Sequence, residues 1–165
     1  MHERVVIFDW GDTVMRDFPQ FRGPMVFWPQ VEVTEGIAES LPEIHRRFSI
    51  CMASNAGDSD AMLMAQALER VELRGYFDFL YTSKELGYKK PSPKFFQEIV
   101  DRIAVRPVQC VMVGNDYEKD IVPAKMTGMK TILYQRNLVS GTPLADATIQ
   151  SMYGLLQCLR DLHNC

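Results

Sequence analysis

Short apolar runs recur along the chain, and each is followed by a polar turn and then by a segment whose apolar positions have helical spacing. This alternation is typical of a parallel β-sheet whose strands are joined by crossover helices. The predicted strands cover residues 4–8, 49–53, 77–81, 109–113 and 131–134, and the predicted helices cover residues 34–47, 59–72, 93–104, 121–127 and 151–162. We therefore predict an α/β fold of three layers, Rossmann-like, with a parallel sheet of about five strands and helices on both faces.

One stretch, residues 14–33, breaks the alternation because it is dense in proline and aromatic residues. We interpret it as a loop or short hairpin that forms a flap near the active site. Its aromatic groups either line a ligand entrance or a subunit interface, or fold back on the edge of the sheet, and the sequence leaves both alternatives open. We expect residues 1–165, this loop included, to form a single domain.

Composition narrows the classes of function. The chain has 165 residues, 47% of them hydrophobic, a net charge of -3 and no run of lysine or arginine, so we expect no nucleic-acid binding. A chain of this length buries a core without needing disulfides or a structural metal. No signal peptide or membrane-spanning stretch is recognisable, so we expect a cytoplasmic protein with no membrane partner. The four cysteines lack the close spacing of a zinc site and are interpreted as reduced thiols.

Polar side chains follow three of the predicted strands at the edge where an open parallel sheet binds its ligands. These residues are Asp9, Gly11, Asp12 and Thr13 after the first run, Ser54 and Asn55 after the second, and Asn115, Asp116 and Asp120 after the fourth. So many carboxylates beside one ammonium group, that of Lys90, repel one another unless a divalent cation lies among them. Magnesium prefers hard oxygen ligands and commonly joins carboxylates to a substrate phosphate. The pattern therefore predicts Mg²⁺ and phosphoryl chemistry.

Four segments resemble, in order, the four motifs of the haloacid dehalogenase superfamily. They are Asp-Trp-Gly-Asp-Thr at 9–13, Ser-Asn at 54–55, Lys-Pro at 90–91 and Val-Gly-Asn-Asp-Tyr-Glu-Lys-Asp at 113–120. The resemblance extends over residues 5–134. Residues 36–90 look more like the phosphoglycolate phosphatase-type branch, which handles small phosphate esters.

The resemblance implies catalytic roles. Asp9 is the expected nucleophile, which forms an aspartyl-phosphate. Ser54, with the backbone N–H of its neighbour, is expected to hold the transferred phosphoryl oxygens. Lys90 is expected to neutralise charge on the nucleophile and the phosphoryl group, the alternative being a solvated surface lysine such as Lys89.

The resemblance also implies binding roles. The magnesium ligands it indicates, directly or through water, are Asp9, the backbone carbonyl of Gly11, Asn115, Asp116 and Asp120. For Asp120 the alternative is a carboxylate that only favours a helix N-terminus. The residues expected to bind the substrate are Gly11, Thr13 and Asn55.

Two positions depart from the family pattern. Phosphatases of this superfamily usually carry a second Asp two residues after the nucleophile, which protonates the leaving group and then activates water, and here that position is Gly11. General acid–base catalysis contributes about 10² to 10⁴-fold, so we expect reduced activity, unless Asp12 substitutes through a shifted turn. Asn115 stands where an Asp is usual, although Asp116 directly follows it.

The intervals between the motifs are filled by predicted core elements, so we expect no cap domain. Phosphonate cleavage of the phosphonoacetaldehyde hydrolase kind, which relies on a cap lysine, is therefore disfavoured. The leading hypothesis is a phosphatase that acts on phosphate monoesters of a small molecule or a phosphoprotein. The alternative is a catalytically impaired phosphate-binding or regulatory module that retains the fold. A homo-oligomer is left open.

Overall fold

Six parallel strands form the central sheet of the computed structural model, which describes residues 2–55, 57–137 and 139–163. The strands are β1 (Val5–Phe8), β2 (Ser49–Ser54), β3 (Phe79–Thr82), β4 (Cys110–Gly114), β5 (Lys130–Tyr134) and β6 (Ala147–Ile149). Their spatial order is β3-β2-β1-β4-β5-β6, so the chain reverses its direction of travel across the sheet between β3 and β4. Ligands of such sheets bind outside the carboxyl ends of the strands that flank this switch, here β1 and β4.

The central strands are continuous apolar runs because both faces of the sheet are covered. All four residues of β1 are buried, and they pair with Ser49–Met52 of β2 on one side and with Cys110–Val113 of β4 on the other. Val6 and Phe8 belong to the core on one face, whereas Val5 and Ile7 belong to the core on the other. This two-sided burial is typical of parallel sheets in α/β proteins.

Six α-helices in the described ranges cover the two faces. They are α1 (Ile37–His45), α2 (Ala61–Arg70), α3 (Ser83–Leu86), α4 (Pro93–Ile103), α5 (Val122–Thr127) and α6 (Leu155–His163). Buried residues of α1, α2 and α6 pack in one core, and those of α3, α4 and α5 pack in the other. Short 3-10 turns at Met25–Phe27, Arg74–Tyr76, Pro107–Gln109 and Met152–Gly154 and one π-helical turn at Tyr117–Ile121 complete the helical structure. The predicted three-layer fold is confirmed.

The boundaries differ from the predicted ones by a few residues, and the sheet has one strand more than the five expected. The additional strand, β6, is a three-residue edge strand that is partly exposed, so its sequence shows no apolar run. Helix α3 has four residues, too few for helical periodicity to be read. Pro93 begins α4, and Gly128 ends α5 at a φ of 98°, as the sequence indicated.

Residues 14–33 form a hairpin-like loop. It is closed by a bridge between Met15 and Val33 and by a 2.9 Å hydrogen bond from the Arg16 amide to the Glu32 carbonyl. The rings of Phe18 and Trp28 contact each other at 6.5 Å between centroids, and Trp28 is buried in the core that includes β1. Phe18, Phe21 and Trp28 therefore fold back on the sheet, whereas Phe27 is exposed.

The remaining intervals in which a cap domain could be inserted are occupied by core elements. Residues 34–53 contain α1 and β2, and residues 57–89 contain α2, β3 and α3. Within the described ranges, no helix combines the length and the apolar character needed to cross a bilayer.

Candidate active site

A polar cavity of about 280 Å³ opens at the carboxyl ends of β1, β2 and β4. Every residue predicted for the site lines this cavity except Thr13. Asp17 and Lys119, which the sequence analysis did not single out, line it as well. The structure therefore brings together side chains that lie more than 100 residues apart in the sequence at the switch point of the sheet.

The ammonium group of Lys90 lies at the floor of the cavity, and the residue as a whole is 6% exposed. Its Nζ atom donates to Asp9 Oδ1 and Asp120 Oδ1, each at 2.7 Å, and to the Ala53 carbonyl at 3.2 Å. Burial alone lowers the pKa of Lys90, but Asp9 and Asp120 outweigh it, and the net pKa is raised. Lys90 is thus a buried, paired cation and not a solvated surface lysine, whereas neighbouring Lys89 is exposed.

Asn55 holds the backbone of Lys90 in place. Its Oδ1 atom accepts from the Lys90 amide at 2.8 Å, and its Nδ2 atom donates to the Lys90 carbonyl at 3.1 Å. This pair of bonds ties the end of β2 to the loop that leads into α4. Both polar atoms of the side chain are therefore engaged in positioning the lysine, although the sequence grouped Asn55 with the substrate.

Asp120 is buried beneath the cavity with its side chain 1% exposed. Its Oδ2 atom accepts from the Asp116 amide at 3.1 Å, while Oδ1 accepts from Lys90. Burial, followed by the Asp9 charge, raises the pKa of Asp120 to about 6 against the opposing effect of Lys90. Gly114 lies directly against this carboxylate, and a Cβ atom at that position would overlap it. Asp120 therefore does more than favour a helix N-terminus.

Asp9 follows β1 and keeps one oxygen outside the lysine contact. Oδ1 accepts from Lys90, whereas Oδ2 lies 3.5 Å from the Thr13 hydroxyl. The same hydroxyl donates to Asn115 Oδ1 at 3.2 Å, and Thr13 is fully buried. Thr13 is therefore turned toward Asp9 and Asn115 and does not face the cavity, which differs from the substrate contact predicted for it.

Two further acidic residues lie at the rim on the turn after β1. Asp12 has a left-handed backbone at a φ of 59°, and its Oδ1 atom accepts from the Asp17 amide at 3.0 Å. Burial and the Asp12 charge raise the pKa of Asp17. The sequence missed Asp17 because it lies in the aperiodic loop 14–33, beyond the first motif.

Ser54 and Asp116 complete the wall of the cavity. The hydroxyl of Ser54, at the end of β2, donates to the Asn55 carbonyl at 3.2 Å and is partly buried. Asp116 Oδ1 accepts from the Lys119 amide at 3.0 Å, so this carboxylate caps the π-helical turn before α5.

The donor set of the cavity suits magnesium. No group of three or more His, Cys, Asp or Glu side chains able to hold a metal occurs in the part of the chain that the structure describes. The oxygens that line the cavity include those of two kinds of group, the carboxylates of Asp9 and Asp116 and the neutral side chain of Asn115 and backbone of Gly11. Magnesium is usually held by one or two carboxylates together with water and substrate phosphate, so these residues fit it.

Comparison with protein families assigns the chain to a known family. The model of the haloacid dehalogenase-like hydrolases matches residues 11–128, and the chain belongs to this family. The predicted family is thereby confirmed.

Two curated relatives are phosphatases. Glyceraldehyde 3-phosphate phosphatase of Methanothermobacter thermautotrophicus is 37% identical over 73 residues, which are 44% of this chain and 32% of that protein. N-acylneuraminate-9-phosphatase of Rattus norvegicus is 27% identical over 113 residues, which are 68% of this chain and 44% of that protein. The chain thus matches less than half of the length of either relative.

Solved structures show the same fold. An uncharacterized protein from Listeria monocytogenes serotype 4b superposes with a TM-score of 0.86 at 25% identity, covering 98% of this chain and 99% of that one. A HAD phosphatase from Thermococcus onnurineus superposes with a TM-score of 0.68 at 26% identity, covering 78% of this chain and 59% of that one.

Proposed function

We propose that this chain is a magnesium-dependent phosphatase that hydrolyses phosphate monoesters through an aspartyl-phosphate at Asp9. The observation that carries the proposal is the buried contact of Lys90 with both Asp9 and Asp120 at the floor of an open polar cavity. Such an arrangement presents a carboxylate oxygen and a fixed positive charge to the same bound group, as phosphoryl transfer requires.

In the proposed mechanism each residue has its own step. The Oδ2 atom of Asp9, which has no contact with Lys90, attacks phosphorus, and the bond between phosphorus and the leaving-group oxygen breaks. Water then attacks phosphorus, releases inorganic phosphate and regenerates the Asp9 carboxylate. Lys90 stays protonated throughout and neutralises the charge of the phosphoryl group, which the Ser54 hydroxyl helps to hold.

Magnesium would be held by Asp9, the Gly11 carbonyl, Asn115, Asp116 and Asp120, directly or through water. When bound, it would supply further neutralisation of the phosphoryl oxygens. Asp120 would act chiefly through Lys90 and the Asp116 amide, since both of its oxygens already accept hydrogen bonds.

The cavity favours a phosphorylated small molecule over a phosphoprotein as the substrate. A second polar cavity of about 350 Å³ adjoins the first and shares Asp12, Asp17 and Asn115 with it. It offers space for a polar leaving group of modest size. The two curated relatives are named for phosphorylated small molecules, which supports the same choice. Localisation in the cytoplasm and the oligomeric state stay predictions.

The test is turnover of 4-nitrophenyl phosphate by the purified chain with and without Mg²⁺. Asp9→Asn should lower kcat by about 10³-fold or more, because the amide cannot form the acyl phosphate. Asp161→Asn, which removes an exposed carboxylate of α6, is the matched control and should keep the wild-type rate. Unchanged turnover in Asp9→Asn would refute the proposal. Binding of phosphate without any wild-type turnover would instead support an impaired phosphate-binding module.

A further inference from the structure

Hydrolysis of an unactivated phosphate ester requires a proton on the departing oxygen, and the residues assigned so far do not supply one. Lys90 directs its ammonium group to Asp9, Asp120 and the Ala53 carbonyl. Asp9 is the nucleophile, and both oxygens of Asp120 accept hydrogen bonds. Gly11 has no side chain. We therefore look for the proton donor among the other carboxyl groups at the rim of the cavity, since a carboxyl group can both give and take a proton in such a reaction.

Asp12, Asp17 and Asp116 also line the cavity, and in two of them one carboxylate oxygen accepts a backbone hydrogen bond. Asp116 accepts from the Lys119 amide, and Asp12 accepts from the Asp17 amide. Within the described ranges, no residue donates a hydrogen bond to the carboxyl group of Asp17, although the Asp17 amide donates to Asp12. Asp17 is thus the acidic side chain of the rim that is free to meet a ligand.

The position of Asp17 suits this task. Gly11 lies two residues after the nucleophile in the sequence. A Cβ atom built on it would lie 3.7 Å from the Cβ atom of Asp17, so the two residues border the same space. The absence of a side chain at Gly11 leaves that space to the Asp17 carboxyl. Asp17 also lines the adjoining cavity that offers space for a leaving group, so it lies where the two cavities meet.

We infer that Asp17 is the general acid and base of this site, a role that rests on the proposed phosphatase function. In the first step the Asp17 carboxyl gives its proton to the leaving-group oxygen as the phosphorus–oxygen bond breaks, and the alcohol departs. In the second step the Asp17 carboxylate takes a proton from the water that attacks the aspartyl-phosphate. Phosphate leaves, and both carboxyl groups return to their starting states.

The experiment compares two esters with similar rings and different leaving groups. Departure of 4-nitrophenol from its phosphate needs little protonation, whereas departure of benzyl alcohol from benzyl phosphate needs a proton. Asp17→Asn should lower kcat/KM for benzyl phosphate by about 10²-fold or more and for 4-nitrophenyl phosphate by less than about 3-fold. Asp58→Asn removes an exposed charge from the same side of the molecule and should change neither rate.

Rescue separates a catalytic carboxyl from a structural one. Adding Gly11→Asp to Asp17→Asn should restore most of the lost benzyl phosphate activity, since the φ of Gly11 is not left-handed and a Cβ atom there meets only ordinary contacts. Equal losses for both esters, no loss at all, or the selective loss appearing in Asp12→Asn instead would overturn the inference. None of these outcomes affects the test of Asp9, which uses the activated ester alone.

Discussion

The Nζ atom of Lys90 lies 2.7 Å from Oδ1 of Asp9, although 81 residues separate them in the sequence. The contact is made where β1 ends and where the loop before α4 begins. Lys90 bonds Oδ1, whereas the other oxygen of Asp9, Oδ2, lies 3.5 Å from the Thr13 hydroxyl. The lysine thus fixes the orientation of the carboxylate that we propose as the nucleophile.

Replacing this lysine by an apolar residue of similar length should disable the site. Lys90→Met leaves Asp9 and Asp120 buried without a cation. We expect kcat for 4-nitrophenyl phosphate to fall by about 10² to 10³-fold, as for other losses of preorganised charge. The free energy of unfolding without Mg²⁺ should fall by about 3 kcal/mol, because breaking a buried ion pair leaves uncompensated charge.

Urea unfolding and steady-state kinetics measure these two effects. Lys89→Met changes the exposed neighbour and serves as the control. A Lys90→Met protein with wild-type turnover would show that the proposed electrostatic role is wrong.

The role of Asn55 can be decided by kinetics. Its amide bonds the backbone of Lys90 on both sides, so Asn55→Ala should displace the lysine without removing a substrate contact. We expect kcat to fall by about 10-fold while KM for 4-nitrophenyl phosphate changes little, the pattern of an interaction used in the transition state. If KM rises and kcat does not change, Asn55 binds substrate, as the sequence suggested.

The sheet could be predicted because its central strands are buried on both faces. A run such as Val5–Phe8 has no polar interruption, and its length distinguishes it from a helix. The edge strand Ala147–Ile149 offers no such signal, since its residues are partly exposed and it is held by pairing with β5. Pairing at a sheet edge depends on the fold as a whole and cannot be read locally.

The convergence of Asp9, Lys90 and Asp120 followed from the rule that parallel strands present their carboxyl ends at one edge. The position of Asp17 in the cavity lining could not be predicted from this rule, because the path of loop 14–33 is set by long-range bonds such as the Met15–Val33 bridge. The orientation of Thr13 was equally hidden, since whether a hydroxyl faces a cavity or its neighbours depends on side-chain packing.

Magnesium should stabilise the folded chain if the cavity binds it. Ligands that bind only the native state raise the free energy of unfolding, by about 2.7 kcal/mol at one hundred times the dissociation constant. We expect the melting temperature to rise with Mg²⁺ and this rise to be lost in Asp116→Asn. The control Asp161→Asn should respond as the wild type does. Equal stabilisation of all three proteins would argue against the site.

Asp146 lies outside the cavity that contains the carboxylates we propose as catalytic, and we expect it to contribute to stability. Its Oδ2 atom accepts from the Thr131 amide at 2.8 Å, and its Oδ1 atom pairs with Lys125 at 2.5 Å. Burial alone raises the pKa of Asp146, but the bonds from Lys125 and Thr131 outweigh it, and the net pKa is lowered. The ionised carboxylate therefore holds the chain before β6 to the start of β5.

A lowered pKa in the folded state means that the unfolded chain binds the proton more readily. The contribution of Asp146 is then present in full above the unfolded value of 3.8 and is lost as the pH falls through the folded value. Asp146→Asn should lower the free energy of unfolding by about 1 kcal/mol at neutral pH, because a charge-assisted bond is weakened. In urea titrations the difference from the wild type should stay constant at neutral pH and shrink below about pH 4. A difference that persists unchanged in acid would show that the side-chain amide disturbs the loop for another reason.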